Sequence, residues 1–180
     1  MDLAKSPGGL TTFRVQSSIW IAAPAEQVYD TVSDLPRSGQ WSPECKGGRW
    51  VSGEPGTVGA IFRGENVRDS GVISWAPVIR GAWQTESEIV EASGRVFRWN
   101  VLDSSRNRQE SVWSYEIQPM DGGCRLTHHY WLGEPTEGLS KIFEGLGEAD
   151  RRRFVDAWAA KLARDVLVTV QHIKALIESS

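Results

Sequence analysis

From Glu148 to Glu178 the chain reads EADRRRFVDAWAAKLARDVLVTVQHIKALIE, with no Gly or Pro. Phe154, Trp158, Leu162, Val166, Val170, Ile173 and Ile177 recur in it at three- and four-residue intervals. The pattern predicts one long amphipathic helix. Burying each Leu, Ile or Phe side chain is worth about 1.5–3 kcal/mol, so a stripe of this length needs a broad apolar surface to lie on. The middle of the chain offers one. GRWVS, VGAIFRG, AWQTESEIVEA, VFRWNVLD, ESVWSYEIQP and CRLTHHYWL alternate apolar and polar residues, and GEPG, SG, SSRNRQ and DGG punctuate them at the spacing of an antiparallel meander. The expected architecture is α+β: a curved antiparallel sheet closed around the C-terminal helix, with a packed core or a cavity between them.

Nearer the start, FRVQSSIWIA puts Phe13, Val15, Ile19 and Ile21 on one strand face and Trp20 on the other. Pro24 opens a short helix, PAEQVYDTVSD, whose inner stripe is Val28, Tyr29 and Val32. RSGQWSPEC follows as a turn or second short helix carrying Trp41. Residues 1–12 read as a flexible polar leader and 13–180 as a single domain. Residues 64–81, GENVRDSGVISWAPVIRG, are too long for a hairpin turn, and their apolar Val72, Ile73, Trp75, Val78 and Ile79 suit either a lid or a loop packed on the sheet edge. PTEGLSKIFEGLG is a short Gly-interrupted helix or loop.

Strand alternation gathers Trp83, Thr85, Ser87 and Ile89, then Phe97, Trp99 and Val101, then Trp113, Tyr115 and Ile117 on a common face. Trp and Tyr mixed with Thr and Ser are less uniform than a dry core and favour a partly hydrated cavity. The nine Trp residues of the chain suit both a core and a pocket for flat apolar ligands.

Charge narrows the choice of partner. A net charge of -3 gives no basic surface for nucleic acid. Arg151, Arg152 and Arg153 sit among Glu144, Glu148 and Asp150, a solvated helix face. Cys45 and Cys124 lack metal or disulfide spacing, and neither a signal h-region nor an apolar run of membrane-spanning length is present. The expectation is a cytoplasmic monomer or homodimer with no membrane span, no metal and no cofactor.

Candidate chemistry is sparse. His128 and His129 are strand neighbours and point to opposite faces, so they cannot share a metal or a proton. The alternation of Leu126, Tyr130 and Leu132 puts His128 inward; a structural or solvent-facing role is the plainer reading of either. Tyr29, Trp113 and Tyr115 could donate to a ligand carbonyl, and Arg63 or Arg98 could neutralise a carboxylate or enolate. Glu86 and Glu88 share the outward face of their strand. The glycines of GEPGTVG lie between strands rather than before a helix, so they form no phosphate cradle.

The segment SIWIAAPAEQVYDTVSDLPRSGQWSPEC resembles the opening of the polyketide cyclase/dehydrase branch of the START/Bet v 1-like (SRPBCC) superfamily. GTVGAIFRG, FRWNV, SVWSYEIQP, GCRLTHH and the closing helix follow in the family order, over about residues 13–178. The resemblance implies a helix-grip fold: seven curved antiparallel strands, two short helices after the first, and a deep hydrophobic pocket under the long helix. It departs from the family pattern at 64–81. It implies a hydrophobic, aromatic or polyketide-like small molecule as ligand. A cyclase, aromatase or dehydratase is the alternative, and a regulatory or partner-binding protein a weaker one. The expected pocket wall comprises Tyr29, Trp41, Phe62, Arg63, Trp75, Trp83 and Ser87, then Trp99, Trp113, Tyr115, His128, Tyr130 and Trp158. His128 and Tyr115 are the candidate acid–base residues.

Overall fold

The computed structural model describes residues 13–180; the leader expected over 1–12 lies outside the described residues. Strand β1 (Phe13–Ile21) leads into helix α1 (Ala25–Ser33) and a 3-10 turn (Leu35–Gln40). Six strands follow: β2 (Cys45–Ser52), β3 (Ile61–Arg68), β4 (Gly81–Ala92), β5 (Val96–Leu102), β6 (Arg108–Met120) and β7 (Gly123–Leu132). Helices α2 (Glu137–Glu144) and α3 (Glu148–Glu178) close the chain. The strands form one antiparallel sheet in the order β1-β7-β6-β5-β4-β3-β2. This is the helix-grip fold expected from the sequence.

Curvature comes from register breaks between Cys45 and Gly48, Trp50 and Ser52, Ile89 and Glu91, and Asn100 and Leu102. Gly48 is required at one of them. Its φ is 150°, and a Cβ there would collide with the Arg63 carbonyl oxygen of the neighbouring strand.

Helix α3 lies in the concavity and is gripped at both ends. Toward its C-terminus Val170, Ile173 and Ile177 pack with Ile21, Val28, Val32, Trp41 and Leu126. Toward its N-terminus Phe154, Leu162 and Val166 pack with Phe13, Leu132, Leu139 and Phe143. A smaller cluster of Leu35, Ala60, Phe62, Ile89 and Phe97 fills the far end of the sheet. Trp20 points away from all three and is 44% exposed.

The expected long gap over 64–81 is shorter in the structure. Strand β3 runs on to Arg68, and only residues 69–80 form a loop. Its inner face there carries Gly64, Asn66 and Arg68 instead of apolar residues, so hydrophobic periodicity is silent. The loop is held firmly. The Arg80 guanidinium donates to the carbonyls of Ser70, Val72, Ile73, Ala76 and Val78, and Ala76 and Val78 are buried in the core. Residues 137–144, left open between helix and loop, form α2, capped by Thr136 Oγ1 accepting from Leu139 N at 3.2 Å.

Phe154 is fully buried and touches the rings of Trp75, Phe143 and Trp158. Phe154→Ala is expected to lower the unfolding free energy by about 3–5 kcal/mol. The half-buried Trp158, truncated to Ala, should lose less. Denaturant titration checks both, and a Phe154→Ala midpoint equal to the parent's would show that this contact does not anchor α3.

Candidate functional site

Between the concave face and α3 lies a cavity of about 930 Å³. Alternate residues of β4 to β7 supply most of its wall, namely Trp83, Thr85 and Ser87 from β4, Trp99 from β5, Ser111, Trp113 and Tyr115 from β6, and His128 and Tyr130 from β7, and Gln84 and Glu86 of β4 also border it. Phe62, Asn66 and Arg68 come from β3, Trp41 from the segment after α1, and Trp158, Asp165 and Thr169 from α3. The lining reaches the surface at Ile79, Ser104, Arg106 and Lys141, between the 69–80 loop, the β5–β6 turn and α2.

Ten of the thirteen residues expected on the wall are there; Tyr29, Arg63 and Trp75 are not. Tyr29 sits behind the wall with its ring edge-on to Phe97, 6.2 Å between centroids. Arg63 falls between the inward Phe62 and Gly64, so it points to the convex face and pairs with Glu86 at 2.6 Å. Trp75 packs on Phe154 from the loop, beneath the Arg153 guanidinium. Arg98 is also on the convex face, between Glu91 and Glu116. Neither Arg63 nor Arg98 can therefore be the inward charge. Glu86, which with Arg106 also borders the cavity, is engaged by Arg106 and Arg63, and Glu88 by Arg108, and these partners hold both carboxyls below their usual range.

His128 is buried and faces the cavity, while His129 faces the other way with Nε2 3.4 Å from Glu116. The His128 ring stacks on Tyr115, 4.3 Å between centroids, and near Trp113 at 5.4 Å. Its Nδ1 lies 3.1 Å from the Ser114 carbonyl oxygen. A carbonyl can only accept, so Nδ1 carries the proton and Nε2 presents a lone pair. Among the described residues nothing hydrogen-bonds Nε2. Burial drives the imidazole down to about 4, assisted by His129 and opposed by the Ser114 hydrogen bond. Burial pushes the Tyr115 phenol far above its usual range against the hydrogen bond from Trp41, and takes Tyr130 to about 12 against its 3.0 Å bond with Ser111. The site thus holds a neutral imidazole and two protonated phenols.

The structure brings together a second group of polar residues that the sequence analysis does not single out. Arg68 donates to both carboxylate oxygens of Glu44, at 2.8 and 3.0 Å, and to the Ile79 carbonyl at 3.0 Å. Its guanidinium carbon is 4.2 Å from the Trp83 ring centre and 4.9 Å from that of Trp158. Lys161 Nζ lies 2.6 Å from both Glu44 and Asp165. Burial is the largest influence on Glu44 and raises it, but Arg68 and Lys161 together outweigh burial and hold it below the usual range. Burial raises Asp165, reinforced by Glu44 and opposed by Lys161. One signal did exist: Lys161 and Asp165 continue a spacing from Trp158 to Thr169 beside the apolar stripe. Among the described residues no group of His, Cys, Asp and Glu is placed to hold a metal, and no helix is long and apolar enough to cross a membrane.

Residues 12–168 match a family model described as polyketide cyclase / dehydrase and lipid transport. A Mycobacterium tuberculosis protein described as uncharacterized is 28% identical over 149 residues, 78% of each chain. A polyketide-cyclase-like protein of Corynebacterium glutamicum is 28% identical, with a TM-score of 0.58 over 93% of this chain and 92% of that one. Two more distant structures share the fold. The di-domain ARO/CYC StfQ of the steffimycin biosynthetic pathway has a TM-score of 0.65 at 14% identity, over 94% of this chain and 52% of that one. Major latex-like protein 151 of Panax ginseng has a TM-score of 0.57 at 13% identity, over 92% and 97%.

The buried imidazole makes stability pH-dependent. Its folded pKa of about 4 lies below the ordinary 6.5, so the unfolded chain takes the proton first as pH falls. The stabilising contribution is complete above about pH 6.5 and declines toward pH 4, by roughly 3 kcal/mol. Unfolding free energies at pH 7 and 4.5 should therefore converge more closely in His128→Phe than in the parent. Equal pH dependence in the two proteins would contradict a neutral buried His128.

Proposed function

Because the chain belongs to the polyketide cyclase/dehydrase and lipid transport family, within the START/Bet v 1-like (SRPBCC) superfamily, we propose that it binds a hydrophobic, aromatic or polyketide-like small molecule between sheet and C-terminal helix. The observation that carries this reading is the 930 Å³ cavity walled by indole and phenol rings around one unpartnered imidazole nitrogen. Ligand pockets of roughly 300–1,000 Å³ are mostly apolar with a few fixed polar groups. A planar ligand would lie along Trp99, Trp113 and Tyr130, with a donor group on His128 Nε2 and an acceptor on the Tyr115 hydroxyl. The free thiols Cys45 and Cys124 fit a reducing cytoplasm.

The pairing of Tyr115 and His128 favours a second reading, a cyclase, aromatase or dehydratase. In it His128 Nε2 would take a proton from a carbon beside a ketone, and the Tyr115 hydroxyl would hold the enolate oxygen. A base near pKa 4 is poorly matched to neutral pH, which ranks binding ahead of catalysis.

An uncharged planar probe such as N-phenyl-1-naphthylamine is expected to bind at micromolar Kd, about -8 kcal/mol, and to quench Trp emission. Unchanged emission at saturation, with no calorimetric heat, would remove the binding reading. Native mass spectrometry of protein from its own host should show the ligand directly. If the protein is an enzyme, His128→Ala and Tyr115→Phe should each lower turnover at least about tenfold while His129→Ala does not. Equal turnover in all three variants would remove the acid–base assignment.

A further inference from the structure

Where α3 passes β2 and β3, the cavity wall changes from aromatic to polar. Asn66 is buried, and its Nδ2 donates to Thr85 Oγ1 at 3.2 Å and to the Gly64 carbonyl at 3.4 Å. Both amide hydrogens are thereby used within β3 and β4. Its Oδ1 has no partner among the described residues, and Lys161 makes its closest approach to Asp165 at Oδ2. Unused donors lie beside these acceptors. Arg68 has five N–H groups and spends three, on Glu44 and Ile79. Lys161, with its side chain 7% exposed, lies 2.6 Å from both Glu44 and Asp165 and is committed to these two carboxylates.

We propose that this end of the cavity, formed by Asn66, Arg68 and Asp165, is a subsite for an uncharged, hydroxyl-rich group of the ligand, such as a sugar ring. The inference rests on the binding reading above and specifies the ligand further.

Charge balance sets the first condition. Arg68 and Lys161 are matched by Glu44 and Asp165, so a ligand carboxylate or ammonium would leave one charge unpaired in a largely buried site. Hydrogen-bond capacity sets the second. The subsite offers spare donors and spare acceptors side by side. A carboxylate only accepts and an ammonium only donates, whereas a hydrocarbon chain does neither and would leave all of these groups dry and unmade. Hydroxyl groups do both. Trp83 and Trp158 each turn one ring face to Arg68, and the remainder of both indoles in the cavity lining adds apolar surface beside the polar groups.

The test uses the full chain and four naphthalene probes: 2-methoxynaphthalene, 2-naphthyl β-D-glucoside, 2-naphthoate and 2-(aminomethyl)naphthalene. Affinities are read by Trp quenching and calorimetry. The glucoside is expected to bind about tenfold or more tighter than the methyl ether, the effect of two or so new hydrogen bonds. The acid and the amine should bind more weakly than the ether. Asn66→Ala and Asp165→Asn should each bring the glucoside close to the ether. Should Asp165→Asn unfold by circular dichroism, Asn66→Ala decides. A glucoside no tighter than the ether, a tighter acid or amine, or an undiminished glucoside in Asn66→Ala overturns the subsite while ether binding keeps the cavity reading intact. Failure of all four probes to bind overturns both.

Discussion

Everything in this molecule depends on helix α3 having two buried faces instead of one. The apolar stripe of Phe154, Leu162, Val166, Val170, Ile173 and Ile177 locks it to the β1–β7 side of the sheet. A neighbouring stripe of Trp158, Lys161, Asp165, Thr169 and His172, also at three- and four-residue spacing, turns toward β2, β3 and Trp41. Had that second stripe been Leu and Ile, the helix would have settled onto the sheet and filled the concavity. Charged and polar residues there need partners and room, so the helix stands off and the space remains.

The same constraint explains the ion pairs. Removing Glu44 or Asp165 would strand Lys161 in a site that hides it from water, which costs far more than the pair itself contributes. The cluster joins α3, the entry to β2 and the end of β3, and through Arg68 and the Ile79 carbonyl it also ties the two ends of the 69–80 loop. With Arg80 hydrogen-bonded to that loop from within, one side of the cavity mouth is tied together by side-chain contacts. On the other side α2 meets the β5–β6 turn through Glu137, which accepts from Ser104 and whose backbone N–H donates to Gln109.

Inside, the chemistry follows from dryness. His128 is neutral because an imidazolium stacked on Tyr115 and near Trp113 would lose its hydration with no carboxylate beside it. Tyr115 and Tyr130 stay protonated for the same reason. The cavity therefore presents neutral hydrogen-bonding groups and ring faces at this end, and its fixed charges are paired at the other.

Local periodicity was enough to read the long helix, the strand faces, the inward turn of His128 and the outward turn of His129, Glu86 and Glu88. Each of these depends on a residue's place in a repeat of two or of 3.6. The seven-strand count and the helix grip were legible through resemblance of ordered motifs. Alternation also implied that Phe62 and Arg63, strand neighbours, cannot both face the cavity, whereas tertiary structure alone decided that Trp75 leaves the wall and that Tyr29 lies behind it. It also showed that β3 continues through Asn66 to Arg68, and that Lys161 and Asp165 are buried opposite Glu44. A charge can be buried only where a partner meets it, and that partner lies far away in the chain. Spacing along a strand or helix says where a side chain points, but not what it will find there.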